Sequence, residues 1–307
     1  MIEYLWPILP NRSFLRNSID GFANKLCKMP GFCNICGSFT IFDCAETNFR
    51  EYVECSSCGS RNRQRQIVEV LLSEFFQNPN FSKPMANKYV GPASRRRYEK
   101  SGIKPFASLK SLSKDLVVWN AETTRTLHKA LENHLQSKYI SSEYINDDME
   151  SGDLHGGIMH VDMQNTHFND NSIDYILSGD VLEHMPDPIR ALKESYRILK
   201  SGGSHIFTVP FYHHRFSIER RAEILENGAI SYLKKPWFHD DPVRPSEGAL
   251  VFNVFAPELL VEIEKIGFEA RLLLLHNPLH GIYGRNGIVI VARKTTPPDH
   301  ARDWIFS

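Results

Sequence analysis

From residue 116 to residue 294 the chain alternates short β-rich runs with helical stretches, and this alternation restricts the fold more than any other feature. The runs are LVVWN (116–120), KYISSEY (138–144), GIMHVDM (157–163), IDYILSG (173–179), SHIFTVP (204–210), EARLLLLH (269–276) and GIVIVARK (287–294). Strands separated by helices in this way predict an α/β protein with a doubly wound, seven-stranded sheet. The best-marked helix is DPIRALKESYRILK. Ile189, Ala191, Leu192, Tyr196, Ile198 and Leu199 recur there at helical spacing, Asp187 and Pro188 start it, and the SGG at 201–203 ends it. In such sheets ligands sit beyond the carboxyl ends of the strands. The polar residues at those ends are Asn120, Ala121 and Glu122 after the first run, Glu143 at the second, Asp162 at the third, and Ser178, Gly179 and Asp180 at the fourth.

The cysteines define a second module. All six lie in the first 58 residues, and four form the knuckles CNIC (Cys33, Cys36) and CSSC (Cys55, Cys58), with 18 residues between them. Two Cys-x-x-Cys turns on facing hairpins can aim four thiolates at one centre, the tetrahedral set that Zn²⁺ accepts, and Gly37 and Gly59 suit the tight turn behind each pair. The alternatives are disulfides or redox-active CxxC units. The apolar start MIEYLWPILPNRSF has no basic leader and no small-residue cleavage site, so a reducing cytoplasm and a structural zinc are the expectation. Cys27 and Cys44 remain as buried thiols, or, for Cys44, as an alternative ligand.

With 42% hydrophobic and 23% charged residues over 307 positions, the chain has the composition of a soluble globular protein, and no run reaches the length of a membrane span. Net charge is zero but divided: residues 1–110 hold 16 Lys/Arg against 9 Asp/Glu, and residues 111–307 hold 20 against 27. A basic first half fits an anionic partner, and equally two halves that attract each other. Arg61, Arg63 and Arg65 open an amphipathic helix with Ile67, Val68, Leu71, Leu72 and Phe75 on its apolar side, and are candidates for phosphate contact or for a solvated helix start. The expected organisation is a zinc-ribbon module (1–62), a helix and irregular connection (63–110), an α/β domain (111–295) and a tail (296–307).

The stretch FNDNSIDYILSGDVLEHMPDPIRALKESYRILKSGGSHIFTVPF (168–211) resembles the later half of class I S-adenosylmethionine (SAM)-dependent methyltransferases of the type 11-like group, over about 45 residues. With the ribbon ahead of it, the chain is similar to bacterial zinc-ribbon methyltransferases often associated with saccharide biosynthesis. The resemblance implies a Rossmann-like methyltransferase fold, SAM as cofactor and methyl transfer as the reaction. Under it, Glu143 would hold the ribose hydroxyls, Asp162 the adenine amine, and the backbone of Met163 the ring nitrogens.

The chain departs from that group in one place. The turn after the first strand, WNAETTRTLHKAL, has no glycine. SAM carries no pyrophosphate, so the pressure for glycine at this turn is relaxed. Ala121 is small, Glu122 can attract the cationic ligand, and Thr123 or Thr124 can cap the next helix. Methyl transfer needs alignment of the acceptor and removal of its proton. His184 in LEHMP is the candidate base, with Asp180 and Glu183 as orienting neighbours. The acceptor pocket is expected in the insertion after the fifth strand, from Tyr212, His213, His214, Trp237, His239, Asp240 and Asp241, a set suited to a saccharide or other polyhydroxylated small molecule bearing a hydroxyl or amine. RNA or protein as acceptor, and a silent SAM-fold protein whose ribbon binds a partner, are the alternatives. No membrane partner is expected.

Overall fold

The computed structural model describes residues 2–3, 28–44, 49–77, 108–241, 246, 248–284 and 287–295. Cys27, most of the irregular connection and the C-terminal tail lie outside the described residues. In chain order, β1 (Ile2–Glu3) is followed by β2 (Lys28–Phe32), β3 (Phe39–Asp43), α1 (Phe49–Tyr52), β4 (Glu54–Cys55) and α2 (Asn62–Gln77). Next come β5 (Val118–Asn120), α3 (Arg125–Leu135), β6 (Tyr139–Ser141), the hairpin β7 (Leu154–His155) and β8 (Ile158–Met159), β9 (Ile173–Gly179), α4 (Pro188–Ile198) and β10 (Leu199–Thr208). The short strands β11 (Glu219–Arg220), β12 (Ala222–Ile224), β13 (Ile230–Tyr232), β14 (Phe238–His239), β15 (Ala249–Leu250) and β16 (Asn253–Val254) form the insertion. α5 (Glu258–Ile266), β17 (Phe268–Leu274) and β18 (Ile288–Lys294) close the domain. Among the described residues no helix is long and apolar enough to cross a membrane.

The main sheet has seven strands in the order β1-β17-β18-β10-β9-β5-β6. β6, β5, β9 and β10 are parallel neighbours, β18 runs antiparallel between β10 and β17, and β1 is parallel to β17. The doubly wound sheet is therefore present. One strand differs from its expected place. The run 157–163 gives only the β7–β8 hairpin and a single parallel bridge between Glu143 and His160. Positive φ at Gly152, Gly156 and Gly157 turns the chain back on itself there, and Ile2–Glu3 supplies the seventh strand instead. The SGG at 201–203 likewise lies inside β10, at an irregularity between Leu199 and Ser204, and does not end the helix, which stops at Ile198. α4 itself forms as its sequence requires: the Asp187 carboxylate accepts from the Arg190 amide at 3.0 Å, Pro188 takes the first turn, and Ala191, Leu192 and Ile198 are buried.

α2 joins the two modules. Ile67, Val68, Leu71, Leu72 and Phe75 are buried, in a single apolar cluster that runs from the cysteine hairpins through β9, β10 and β18. Several of its polar residues are buried as well and reach partners across the fold. Asn62 donates to the Phe49 and Tyr283 carbonyls at 2.6 and 2.9 Å. Glu69 accepts from Asn34, Asn277 and His280. Glu74 pairs with Arg271 and accepts from Ser204.

Arg65 is fully buried. Its guanidinium donates to the Ser60, Val53 and Gly281 carbonyls and lies over the Phe42 ring, 4.6 Å from the centroid. The other two arginines of the trio are also engaged within the protein: Arg61 pairs with Glu54 at 3.2 Å and Arg63 with Asp180 at 2.7 Å. Arg63 and Arg65 are thus held within the protein and are not solvated, while Arg61 pairs with Glu54 at the surface. Replacing Arg65 by Met should lower unfolding free energy by roughly 3–5 kcal/mol, because carbonyls of three segments lose their donor. The Arg65→Lys replacement should not restore it, since the planar fork is what reaches all three. Equilibrium denaturation of Arg65→Met and Arg65→Lys against the parent measures this.

Candidate functional site

The carboxyl ends of β5, β6 and β9 meet at one edge of the sheet. Asn120, buried at the end of β5, donates its amide to the Glu122 carbonyl at 3.0 Å and to the Tyr139 hydroxyl at 3.1 Å. Ala121 continues the ladder, its amide donating to the Leu177 carbonyl. Glu143, just past β6, reaches across to the glycine-free turn: one carboxylate oxygen accepts from the Thr123 amide at 2.7 Å and from its hydroxyl at 2.9 Å. Burial raises the Glu143 carboxyl above its ordinary value, and the two Thr123 bonds oppose that. Burial raises Glu122 to about 7, against the pull of Arg63 and Arg125. The Thr124 side chain makes no cap bond to α3. The turn is held from Glu143 instead.

Arg125, the first residue of α3, has φ +67°. A non-glycine residue in the left-handed region costs about 1–2 kcal/mol, so the missing glycine leaves strain at this turn. The next residue is braced by the other module: the Thr126 hydroxyl donates to the Cys58 carbonyl at 2.9 Å. The ribbon thus abuts the turn that follows β5.

At the end of β9 the Ser178 hydroxyl points into the core, 2.8 Å from Nε2 of His205, whose pKa burial lowers to about 3. Gly179 offers its carbonyl, which accepts from Arg63 at 3.0 Å. Asp180 has φ +58°, accepts from the Thr208 hydroxyl at 2.8 Å and pairs with Arg63. Asp162 folds back on its own turn, accepting from the Gln164 amide at 2.8 Å, and Met163 is buried.

His184 ends the turn Leu182–His184. Its Nδ1 donates to the Leu250 carbonyl at 2.8 Å, and Nε2 faces Oε1 of the buried Glu183 at 3.7 Å. His239 joins them from the insertion, Nδ1 3.5 Å from the same Oε1, with the Trp237 ring against it at 5.0 Å between centroids. Tyr212, His213 and His214 form another group, the His214 ring against both of the others, with Arg215 over Tyr212 at 4.3 Å. The acceptor candidates therefore fall into two clusters. Asp240 and Asp241 follow His239, the first exposed and the second partly covered.

The four knuckle cysteines converge. Their sulfurs lie within 4.8 Å of one another, with Cys33 and Cys58 3.8 Å apart, the edge expected of a tetrahedron with about 2.3 Å metal–sulfur bonds. Gly37 and Gly59 take φ +75° and +71° behind the knuckles. The crowded thiols titrate as a set: the hydrogen bond with Cys33 pushes Cys55 down and Cys58 up. Cys44 lies outside the set, a buried thiol directed at the Phe42 carbonyl at 3.7 Å.

Residues 123–207, from the glycine-free turn to β10, match the family described as a methyltransferase domain. The chain contains a methyltransferase domain. Over 42 residues it is 50% identical to demethylmenaquinone methyltransferase of Staphylococcus epidermidis, a match spanning 14% of this chain and 17% of that protein. Among solved structures it is similar to an S-adenosylmethionine-dependent methyltransferase from Mesorhizobium loti (TM-score 0.38, 13% identity, 59% of this chain and 93% of that one) and to one from Methanosarcina mazei (0.36, 17%, 64% and 99%).

Within this methyltransferase domain, sequence reasoning singled out Asp180 but not Arg63 as its partner, because the pair spans two modules. The charge count of residues 61–65 was the one available sign. Glu122 gives the domain a measurable pH response. Its folded-state value near 7 lies above the unfolded value, so its contribution is present below about pH 4.5 and is lost as pH rises through 7. Glu122 should lower unfolding free energy by roughly 2–3 kcal/mol across that window, and Glu122→Gln should make the pH dependence shallower by that amount. Denaturation of both proteins at pH 5 and pH 8 checks it.

Proposed function

We propose that the chain transfers a methyl group from SAM to a hydroxyl or amine of a polyhydroxylated small molecule. The observation that carries this reading is the pair of partly buried carboxylates at adjacent strand ends of a methyltransferase domain, Glu122 in the turn after β5 and Glu143 after β6, bonded to the same turn. SAM supplies a methyl group already activated by its sulfonium. Glu143 would hold the ribose hydroxyls. Asp162 and the Met163 backbone take adenine, while Asn120, Ala121, Glu122 and the backbone of Ser178, Gly179 and Asp180 line the methionine end. Ionised Glu122 attracts the ligand's positive charge. Asp180, braced by Arg63 and Thr208, is a positioning residue.

For the acceptor, His184 presents an imidazole of fixed tautomer. Nδ1 is committed to the Leu250 carbonyl, so Nε2 carries the lone pair that accepts a proton in the absence of other ligands. Trp237 and His239, with the Tyr212–His214 group, offer the aromatic and imidazole surface that suits a sugar. An RNA acceptor is disfavoured, because the arginines that would have met its phosphates are engaged with Glu54, Asp180 and the Ser60, Val53 and Gly281 carbonyls.

The knuckle cysteines are proposed to hold one structural Zn²⁺. Four sulfurs leave no open position, so the ion's role is to fix the hairpins. The buried Arg65 beneath them is supported electrostatically by Cys33, Cys55 and Cys58, which suits a dianionic tetrathiolate centre.

Two experiments test these assignments. Calorimetry should show SAM and S-adenosylhomocysteine binding, weakened by about 1–3 kcal/mol in Glu143→Ala. No heat with either ligand would sink the enzymatic reading and favour a silent domain. Metal analysis should find one thiolate-bound zinc per chain. Cys33→Ser should lose that equivalent and lower the melting temperature, whereas a folded protein with free knuckle thiols would refute the zinc.

A further inference from the structure

The insertion between β10 and α5 is fastened to the Leu182–His184 turn. β14 and β15 pair antiparallel, Phe238 opposite Leu250 and His239 opposite Ala249. The Val251 amide donates to the Trp237 carbonyl, the Phe252 amide to the Glu183 carbonyl, and the Asn253 side chain to the Met185 carbonyl at 2.9 Å. One short segment, 250–253, is thereby bonded on one side to the hairpin that carries His239 and on the other to the turn that carries Glu183 and His184. Residues more than fifty positions apart in sequence are held together by backbone.

What they bring together has the spacing of a metal site. Glu183 Oε1, His184 Nε2 and His239 Nδ1 all lie within 4.8 Å of one another, with edges of 3.7 and 3.5 Å from the carboxylate to the two imidazoles. Those edges are too long for direct hydrogen bonds, which close to about 2.7–3.2 Å. Three ligands at about 2.0–2.2 Å from one tetrahedral ion stand about 3.3–3.6 Å apart, which matches both edges to within a few tenths of an ångström.

The surroundings favour the same occupant. The Nδ1–H of His184 is anchored on the Leu250 carbonyl, which directs the Nε2 lone pair into the cluster, as an outer hydrogen bond does for a metal-bound imidazole. Glu183 is fully buried, while the His184 and His239 side chains are a fifth to a quarter exposed. The ligand atoms therefore sit on a buried base with an open outer side. Trp237 packs edge-on to His239 and restricts its ring. Two imidazoles and a carboxylate are the donors preferred by Zn²⁺ and its first-row neighbours over Mg²⁺ or Ca²⁺.

We propose that Glu183, His184 and His239 form a second metal site, which takes a divalent transition-metal ion and leaves coordination positions open for an oxygen or nitrogen of the acceptor. The ion binding stands by itself, and only its role toward an acceptor rests on the methyl-transfer reading. A metal-bound His184 cannot also accept a proton. In the loaded protein the ion would therefore lower the acceptor's pKa, and the imidazole would serve as ligand.

The test uses the untagged full chain, stripped of metal, reloaded with one equivalent of Zn²⁺ for the knuckle cysteines and titrated with Co²⁺. One further equivalent should bind with weak visible ligand-field bands and without the sulfur charge-transfer band of a thiolate site. His184→Ala and His239→Ala should each raise the Co²⁺ dissociation constant at least about tenfold. Their circular dichroism and knuckle-zinc content show that they remain folded. Absence of a second equivalent at submillimolar Co²⁺, or undiminished binding in both variants, would overturn the proposal. SAM calorimetry on the same samples keeps the two readings apart: loss of SAM binding counts against methyl transfer and leaves the Co²⁺ result standing.

Discussion

The fold turns on a guanidinium with no access to water. Arg65 ties Val53 and Ser60 of the cysteine module to Gly281 beside the sheet, and lies directly on Phe42. Burying this charge is costly unless every donor finds an acceptor and an anionic group stands near. The carbonyls go far toward the first condition, and the knuckle sulfurs, as thiolates of the proposed zinc centre, would meet the second. The geometry of the ribbon and the seating of α2 on the sheet are consequently one problem. Neither can relax without exposing the other's unsatisfied groups, which is why the apolar cluster runs without a break from Cys33 to Val291.

That fusion sets the position of the strand-end turns. α2 projects Arg63 onto Asp180 and the Gly179 carbonyl at the end of β9, while the second knuckle offers the Cys58 carbonyl to Thr126 at the head of α3. The turn between β5 and α3 is thus gripped on one side by the ribbon and on the other by Glu143. A glycine-rich turn reaches its conformation without Cβ strain. Here Arg125 occupies the left-handed region, and the neighbouring hydrogen bonds of Thr123 and Thr126 offset the cost, each contributing about 1 kcal/mol. The absence of glycine is compensated by tertiary contacts and does not abolish the turn.

Local patterns in the sequence account for much of this and fail at identifiable points. The strand–helix alternation recovered the sheet, because period and turn residues are local signals, and the Cys-x-x-Cys spacing recovered the sulfur cluster for the same reason. The strand expected at 157–163 was misjudged: its apolar alternation is real, but Gly152, Gly156 and Gly157 curl it into a hairpin. The arginines were misread because polarity argues for solvent unless partners are known, and those of Arg63 and Arg65 include residues 116 and 216 positions away. Ser178 shows a finer limit. Its position at a strand end was legible, yet alternation about the strand points its hydroxyl at His205 in the core. Likewise LEH marked His184, but nothing local says that His239 would lie beside it.

The insertion gives the methyltransferase domain what the sheet alone cannot provide. Strand ends and their turns furnish carboxylates and backbone groups at fixed positions, well suited to a cofactor of constant shape. On the proposed reading an acceptor needs a wall opposite, and the two- and three-residue strands clamped to the Leu182–His184 turn through Phe252 and Asn253 would supply it. Such short pairings have little stability of their own, so their order depends on those few bonds. The clamp is placed where it also fixes Glu183 and His184. Changes in the length or chemistry of the segment between Tyr212 and Ala249 can therefore alter that surface while Glu183 and His184 stay in register with β9. If the proposed methyl transfer holds, acceptor choice would then vary independently of the cofactor-binding residues, because the two sets are built from different segments that meet at one turn.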